Sequence, residues 1–150
     1  MLVMPIHKNI SLEEIRFLWY NTIKPPRRSV KRMVKFICYS KCTTCQKAQK
    51  WLDEHQIEYV YRDIKLDRPT IDELREWYGK SGLPLRKLFN TSGLLYKSLD
   101  LKNKLPAMSE DEMLRLLASD GMLVKRPILV GENFVCVGFK EAAFAEKLGG

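Results

Sequence analysis

Long apolar runs are missing from this chain of 150 residues: no stretch approaches the roughly 20 residues that a membrane-spanning helix needs. That excludes a helical membrane protein. The N-terminus has no h-region, and Arg27-Arg28 imitates a twin-arginine signal only superficially, because Lys31, Arg32 and Lys35 cut the apolar segment that should follow. Histidine is scarce as well. His7 and His55 are the two histidines, and Cys42 and Cys45 form the one Cys-x-x-C pair. Tetrahedral zinc wants four ligands, commonly from a second Cys-x-x-C or a paired His, so the ligand count speaks against zinc and no metal is expected. The four cysteines also fall short of a secreted, disulfide-dense scaffold; a dithiol kept reduced or cycling in the cytoplasm fits better, in a monomer. A phosphatase-type loop needs an arginine six positions after its cysteine. Ala48 and Trp51 stand there instead, which excludes that mechanism. Internal repeats and low-complexity segments are absent.

The formal charge of +8 suggests nucleic acid until it is divided along the chain. Residues 1–32 carry net +5, and residues 33–150 only net +3, with charges of both signs interspersed as on a solvated surface. No basic stripe with interleaved aromatics is present, so direct DNA or RNA binding is not expected.

What is present is organised around KFICYSKCTTCQKAQKWL, Lys35 to Leu52. Val34 to Cys38 reads as a strand. A polar turn follows, and then a helix from about Thr43 to His55 with Ala48, Trp51, Leu52 and His55 on one side. Ile57 to Tyr61 reads as a second strand, parallel to the first because a helix crossover joins them. Before this unit, Ser11-Leu-Glu-Glu14 is a capping box for a short helix from Leu12 to about Asn21, ended by Pro25 and Pro26. Met33, directly before the first strand, is a candidate natural start. Residues 1–32 are then an extension, in the plainest reading a loosely ordered tail, otherwise a docking helix, or else a stretch outside the natural reading frame.

Residues 33–150 continue with a helical insert over about 70–119. Thr70-Ile-Asp-Glu73 is a capping box opening a helix that ends at Gly79; Leu83 to Leu88 and Leu94 to Leu101 are shorter helices; Ser109-Glu-Asp-Glu112 caps another, stopping at Asp120-Gly121. Pro127 to Val130 and Phe134 to Val137 are strands joined by the hairpin loop Gly131-Glu-Asn133, and Glu141 to Leu148 is a closing helix. The order is β-α-β, helical insert, β-β-α: an α/β domain with a four-stranded mixed sheet.

Chemistry should centre on the cysteine pair. The thiolate is the nucleophile, and a helix N-terminus favours negative charge. Cys42, at the turn before the helix, is the attacking thiol. Cys45, within the first turn and more covered, is the resolving thiol, and Lys41 and Lys47 add positive charge nearby. Cys38 and Cys136, inside apolar runs, read as small buried hydrophobes. Arg126-Pro127 opens the third strand, and X-Pro bonds are where cis peptides occur. In a thioredoxin-type arrangement a proline at this place faces the Cys-x-x-C turn, which brings Arg126 within reach of the Cys42 thiolate or an oxyanion bound to it.

Over Val34 to Leu148 the chain resembles the arsenate reductase ArsC and Spx family, on CYSKCTTCQKAQKWL, on LPLRKLFNTSG from Leu83 to Gly93, and on LVKRPILV from Leu123 to Val130. The resemblance implies a thioredoxin-like fold with a helical insert, no bound cofactor, and glutathione, glutaredoxin or thioredoxin as electron donor. Thr43, Lys41 and Pro127 are the associated substrate-binding and structural positions. Arsenate reductases of this family use one cysteine and three arginines. Cys42 and Arg126 match two of these, whereas Asn90 and Gly138 occupy the places of the other arginines, which argues against arsenate. Spx-type members carry a Cys-x-x-C switch like Cys42 and Cys45, resemble this chain at Val137 to Phe139, and bind the C-terminal domain of the RNA polymerase α subunit, a contact to which Gly82 would correspond.

Overall fold

The computed structural model describes residues 11–22 and 33–149, with the side chains of 18–22 left out. The chain divides into two compact units, Met1–Lys31 and Arg32–Gly150. In the first, helix α1 runs Leu12–Thr22, and its capping box closes through Ser11 N donating to Glu14 Oε2 and Glu14 N to Ser11 Oγ, both 3.2 Å. Pro25, Pro26, the Arg27–Arg32 linker and His7 lie outside the described residues.

In the second unit β1 (Val34–Cys38) leads to α2 (Thr43–Glu54) and β2 (Tyr59–Asp63), and β1 and β2 are parallel. The second strand starts two residues later than the apolar run Ile57 to Tyr61 suggested. Gln56 takes a left-handed φ of 55° and Ile57 N donates to Leu52 O at 3.0 Å, so residues 56–57 finish the helix before pairing begins. β3 (Ile128–Val130) and β4 (Val135–Val137) complete a mixed sheet of order β2-β1-β3-β4, with β1·β3 and β3·β4 antiparallel. The helix α7 (Glu141–Leu148) closes the chain.

The insert comprises α3 (Ile71–Ser81), a 3-10 turn at Leu85–Leu88, α4 (Leu94–Ser98), α5 (Leu101–Lys104), a 3-10 turn at Leu105–Ala107 and α6 (Glu110–Ser119), and a 3-10 turn at Gly121–Leu123 leads out of it. Both capping boxes form, at Thr70/Glu73 and Ser109/Glu112. Helix α3 runs through Gly79 and stops at Gly82, whose φ of 66° is the left-handed turn that terminates a helix. The single helix expected over Leu94 to Leu101 is two, because Asp100 takes a φ of 53° between them.

Side chains alternate between the two faces along β1. Val34, Phe36 and Cys38 face α2 and α7, packing with Ala48, Trp51, Leu52 and Phe144. Ile37 faces the insert, packing with Leu74, Leu88, Leu117 and Ile128. Only Lys35, near the start of the strand, stays exposed, and each fully buried Phe, Leu or Ile contributes about 1.5–3 kcal/mol. Arg62 at the end of β2 ties the sheet to the insert: it donates to both carboxylate oxygens of Glu73, one bond measuring 3.1 Å, and its guanidinium lies 5.9 Å from the Trp77 ring. Gly121 brings the insert's exit against the β2–α3 loop so closely that a Cβ there would stand 2.1 Å from Ile64 O.

Two outcomes follow from this packing. Gly121→Ala should destabilise the fold by about 1–3 kcal/mol, since backbone rather than a flexible side chain must give way; urea unfolding midpoints at constant m value check it. The Arg62 hydrogen bonds hold the Glu73 carboxyl below its ordinary value of 4.5, against burial, which pushes it up. A carboxyl depressed on folding adds stability that is full above its unfolded value and is lost as pH falls through the folded one. Glu73→Gln should therefore cost about 1–3 kcal/mol at pH 7 and flatten the loss of stability below pH 4.5, read by unfolding at a series of pH values.

Candidate active site

The end of β1, the turn after it and the start of α2 position three sulfurs. Cys42 N donates to Tyr39 O at 3.0 Å, and Cys42, with φ −90° and ψ 119°, is the N-cap of α2. Its side chain is partly exposed. Burial pushes the Cys42 thiol up, but the first-turn amide and thiol of Cys45, the charge of Arg126 and the amide of Thr44 outweigh it, so the net shift is below the ordinary thiol value.

Cys45 is buried, and Tyr39 N–H donates to its sulfur at 3.5 Å. The neighbouring Cys38 first, then burial, push its thiol far above the ordinary range, against the Tyr39 amide. Cys45 thus keeps its proton. Cys38 is lowered by the pairing with Cys45, against burial, with the Tyr61 hydroxyl adding to the lowering.

Arg126 approaches from the start of β3, after a cis Arg126–Pro127 bond. Its guanidinium carbon is 5.1 Å from the Tyr39 ring, Nη1 is 3.5 Å from Met122 O and 3.7 Å from Met122 Sδ, and its buried Nε has no hydrogen-bond partner among the described residues. A cavity of about 810 Å³ opens here, with Cys42, Thr43, Asn90, Lys125, Arg126 and Gly138 in its wall. Lys140 and Asp120 line it too.

The structure therefore brings Cys42, Thr43 and Arg126 together in the cavity wall, with Cys45 buried behind Cys42, and leaves three further expected positions outside the wall. Lys41 is exposed and is not among the lining residues. Pro127 does not line the cavity either; its carbonyl accepts from Gly138 N at 2.8 Å and so fixes the wall. Gly82 is the exposed C-cap of α3, where a left-handed φ already explains a glycine.

Asn90 and Gly138 do line the cavity, so the two places where the resemblance asks for arginine are site positions occupied by an amide and by no side chain. Gly138 has φ 80°, and a Cβ on it would meet Lys125 Cε at 3.3 Å: the lysine stem occupies the space that a longer residue 138 would need. Lys125, Tyr39 and Met122 were not legible as site residues, and neither was Cys38. For Cys38 a signal existed. It shares strand parity with Val34 and Phe36, and that face meets the helix that starts with the cysteine pair. Cys136, read as buried, is half-exposed, and burial raises it, Lys147 and Glu146 acting in opposite senses.

Among the described residues no cluster of three or more His, Cys, Asp or Glu is arranged to hold a metal, and no helix is long and apolar enough to cross a membrane.

Known proteins place this arrangement in a family. The ArsC family model matches residues 38–147. The uncharacterized protein YusI of Bacillus subtilis is 55% identical over 111 residues, covering 74% of this chain and 94% of the relative. The regulatory protein MgsR of Bacillus subtilis is 30% identical over 110 residues, 73% of this chain and 86% of the relative, and the global transcriptional regulator Spx of the same organism 28% over 109 residues, 73% and 82%. Among solved structures, a candidate ArsC family related protein from Bacteroides fragilis superposes with a TM-score of 0.75 at 55% identity, covering 77% of this chain and 96% of that one. A Streptococcus mutans protein described as a possible arsenate reductase gives 0.71 at 45% identity, with 79% and 99% covered. With its four-stranded mixed sheet, its helical insert and a cysteine at the N-cap of α2, this chain belongs to the ArsC family.

Proposed function

We propose that this chain is a cytosolic dithiol redox protein that reduces a small oxidised thiol substrate. One observation carries the reading: a partly exposed Cys42 with a lowered pKa, beside Arg126, backed by a buried Cys45 that holds a proton. The Cys42 thiolate attacks one sulfur of a substrate disulfide, forming a mixed disulfide and releasing the other half as a thiolate. Cys45 gives up its proton and attacks the Cys42 sulfur, so that a Cys42–Cys45 disulfide forms and the second half leaves. The substrate gains two electrons and the dithiol loses them. Glutathione, glutaredoxin or thioredoxin then restores the dithiol by the reverse exchange.

Arg126 balances the anionic sulfur at each stage, and its unpartnered Nε is a spare donor for substrate. Lys125, Arg126 and Lys140 against Asp120 leave the cavity wall modestly cationic. That suits the carboxylates of a peptide thiol. It suits arsenate poorly, because with Asn90 and Gly138 in the wall a single guanidinium would face a multiply charged oxyanion.

A second reading rests on the relatives MgsR and Spx, both named as regulators. On it the same dithiol is a sensor, and the exposed α3 terminus at Gly82 contacts the C-terminal domain of the RNA polymerase α subunit.

Stopped-flow alkylation of Cys42 across pH should give an inflection below the 9.0 of an unperturbed thiol, and Arg126→Ala should move it up. An inflection at or above 9.0 contradicts the enzymatic reading. Arg126→Ala should also lower kcat/KM for a glutathionylated peptide by on the order of tenfold or more, while Cys42→Ser abolishes turnover. Co-precipitation with the α C-terminal domain under reducing and oxidising conditions tests the second reading; no binding in either state removes it.

A further inference from the structure

Cys38 is a buried nucleophile that the two-cysteine cycle does not use. It is the last residue of β1, only 1% exposed, on the strand face that packs against α2, and Cys45 lies in the first turn of that helix, 2% exposed. Tyr39 N–H, next in the chain after Cys38, donates to the Cys45 sulfur at 3.5 Å, and Cys38 and Cys45 pack in one buried cluster with Cys42 against it. Cys42 stands three residues before Cys45, at the N-cap of the same helix. A sulfur placed between two other cysteines can bond to either.

We infer that Cys38 is a third redox thiol, and that the Cys42–Cys45 disulfide passes inward to become Cys38–Cys45, returning Cys42 to the cavity as a free thiolate. The inference rests on the dithiol reading above. Cys38, losing its proton, attacks the Cys45 sulfur. The Cys38–Cys45 bond forms as the Cys42–Cys45 bond breaks, and the bonding pair leaves on Cys42. The proton released from Cys38 passes to solvent. One disulfide and one thiol become one disulfide, one thiolate and a released proton, with no further oxidant. Arg126 favours the Cys42 anion that leaves, and a leaving thiolate departs faster the lower its pKa. The exchange stores the two-electron oxidation where solvent does not reach and presents the attacking thiol again.

Trypsin separates the possibilities, since Cys38 lies in the peptide 36–41 and both Cys42 and Cys45 in 42–47. The full chain is oxidised with diamide, freed of oxidant, held with iodoacetamide under native conditions and then digested. The expected product is peptide 36–41 linked by a disulfide to peptide 42–47 with the alkyl label on Cys42. In Cys38→Ala, labelling of Cys42 in the oxidised protein should fall to background while the internal loop of 42–47 persists. A wild-type protein that keeps its disulfide inside 42–47 with Cys42 unlabelled overturns the inference and leaves the dithiol reading standing. Absence of the loop and of the link alike overturns both.

Discussion

Everything in the second unit depends on how β1 is enclosed, with Lys35 alone exposed among its five side chains. Its even-numbered side chains meet α2 and α7, its one fully buried odd-numbered side chain, Ile37, meets the helical insert, and its two edges pair with β2 and β3. A strand enclosed in this way cannot slip register by one residue without turning its apolar set to the wrong layer. The end of β1 is thereby pinned, and the turn that carries the cysteines starts from a fixed point. The low exposure of Cys45 and the position of Tyr39 N–H against its sulfur are consequences of that pinning rather than separate devices.

The chemistry follows from how few donors the site has. Among the groups that act on Cys42, one is a full charge, and the rest are first-turn amides and a neighbouring thiol. Such an environment favours a thiolate. The ArsC fold is retained with an amide at Asn90 and no side chain at Gly138 in the cavity wall. Family membership and substrate are separate questions here, since fold is a poor guide to the group that a site accepts.

Much of the fold was legible because local signals agreed with one another. The capping boxes at Ser11, Thr70 and Ser109 marked three helix starts correctly, and short apolar and aromatic runs marked all four strands. The errors fall where a single residue's φ decides. Gln56 delays β2, Asp100 splits a helix, and Gly82 rather than Gly79 ends α3, and none of these backbone choices is written in hydrophobic pattern. The cysteine pair and Arg126 could be read because helix-terminus electrostatics and topology each imply a place. Lys125, Tyr39 and Cys38 could not, since their roles arise from contacts across the sheet. Cys38 illustrates the limit: apolar neighbours in sequence concealed a polar neighbour in space.

Gly138 has a chemical consequence for what the cavity can distinguish. Where a guanidinium would offer a planar fork matched to two oxygens at once, the space beside this glycine holds a lysine stem, whose ammonium is a compact charge on rotatable bonds. A fork reads the shape of an anion, and a swinging ammonium reads only its sign. At this place in the wall the charge is a flexible one, and Arg126 alone among the lining residues offers a planar fork.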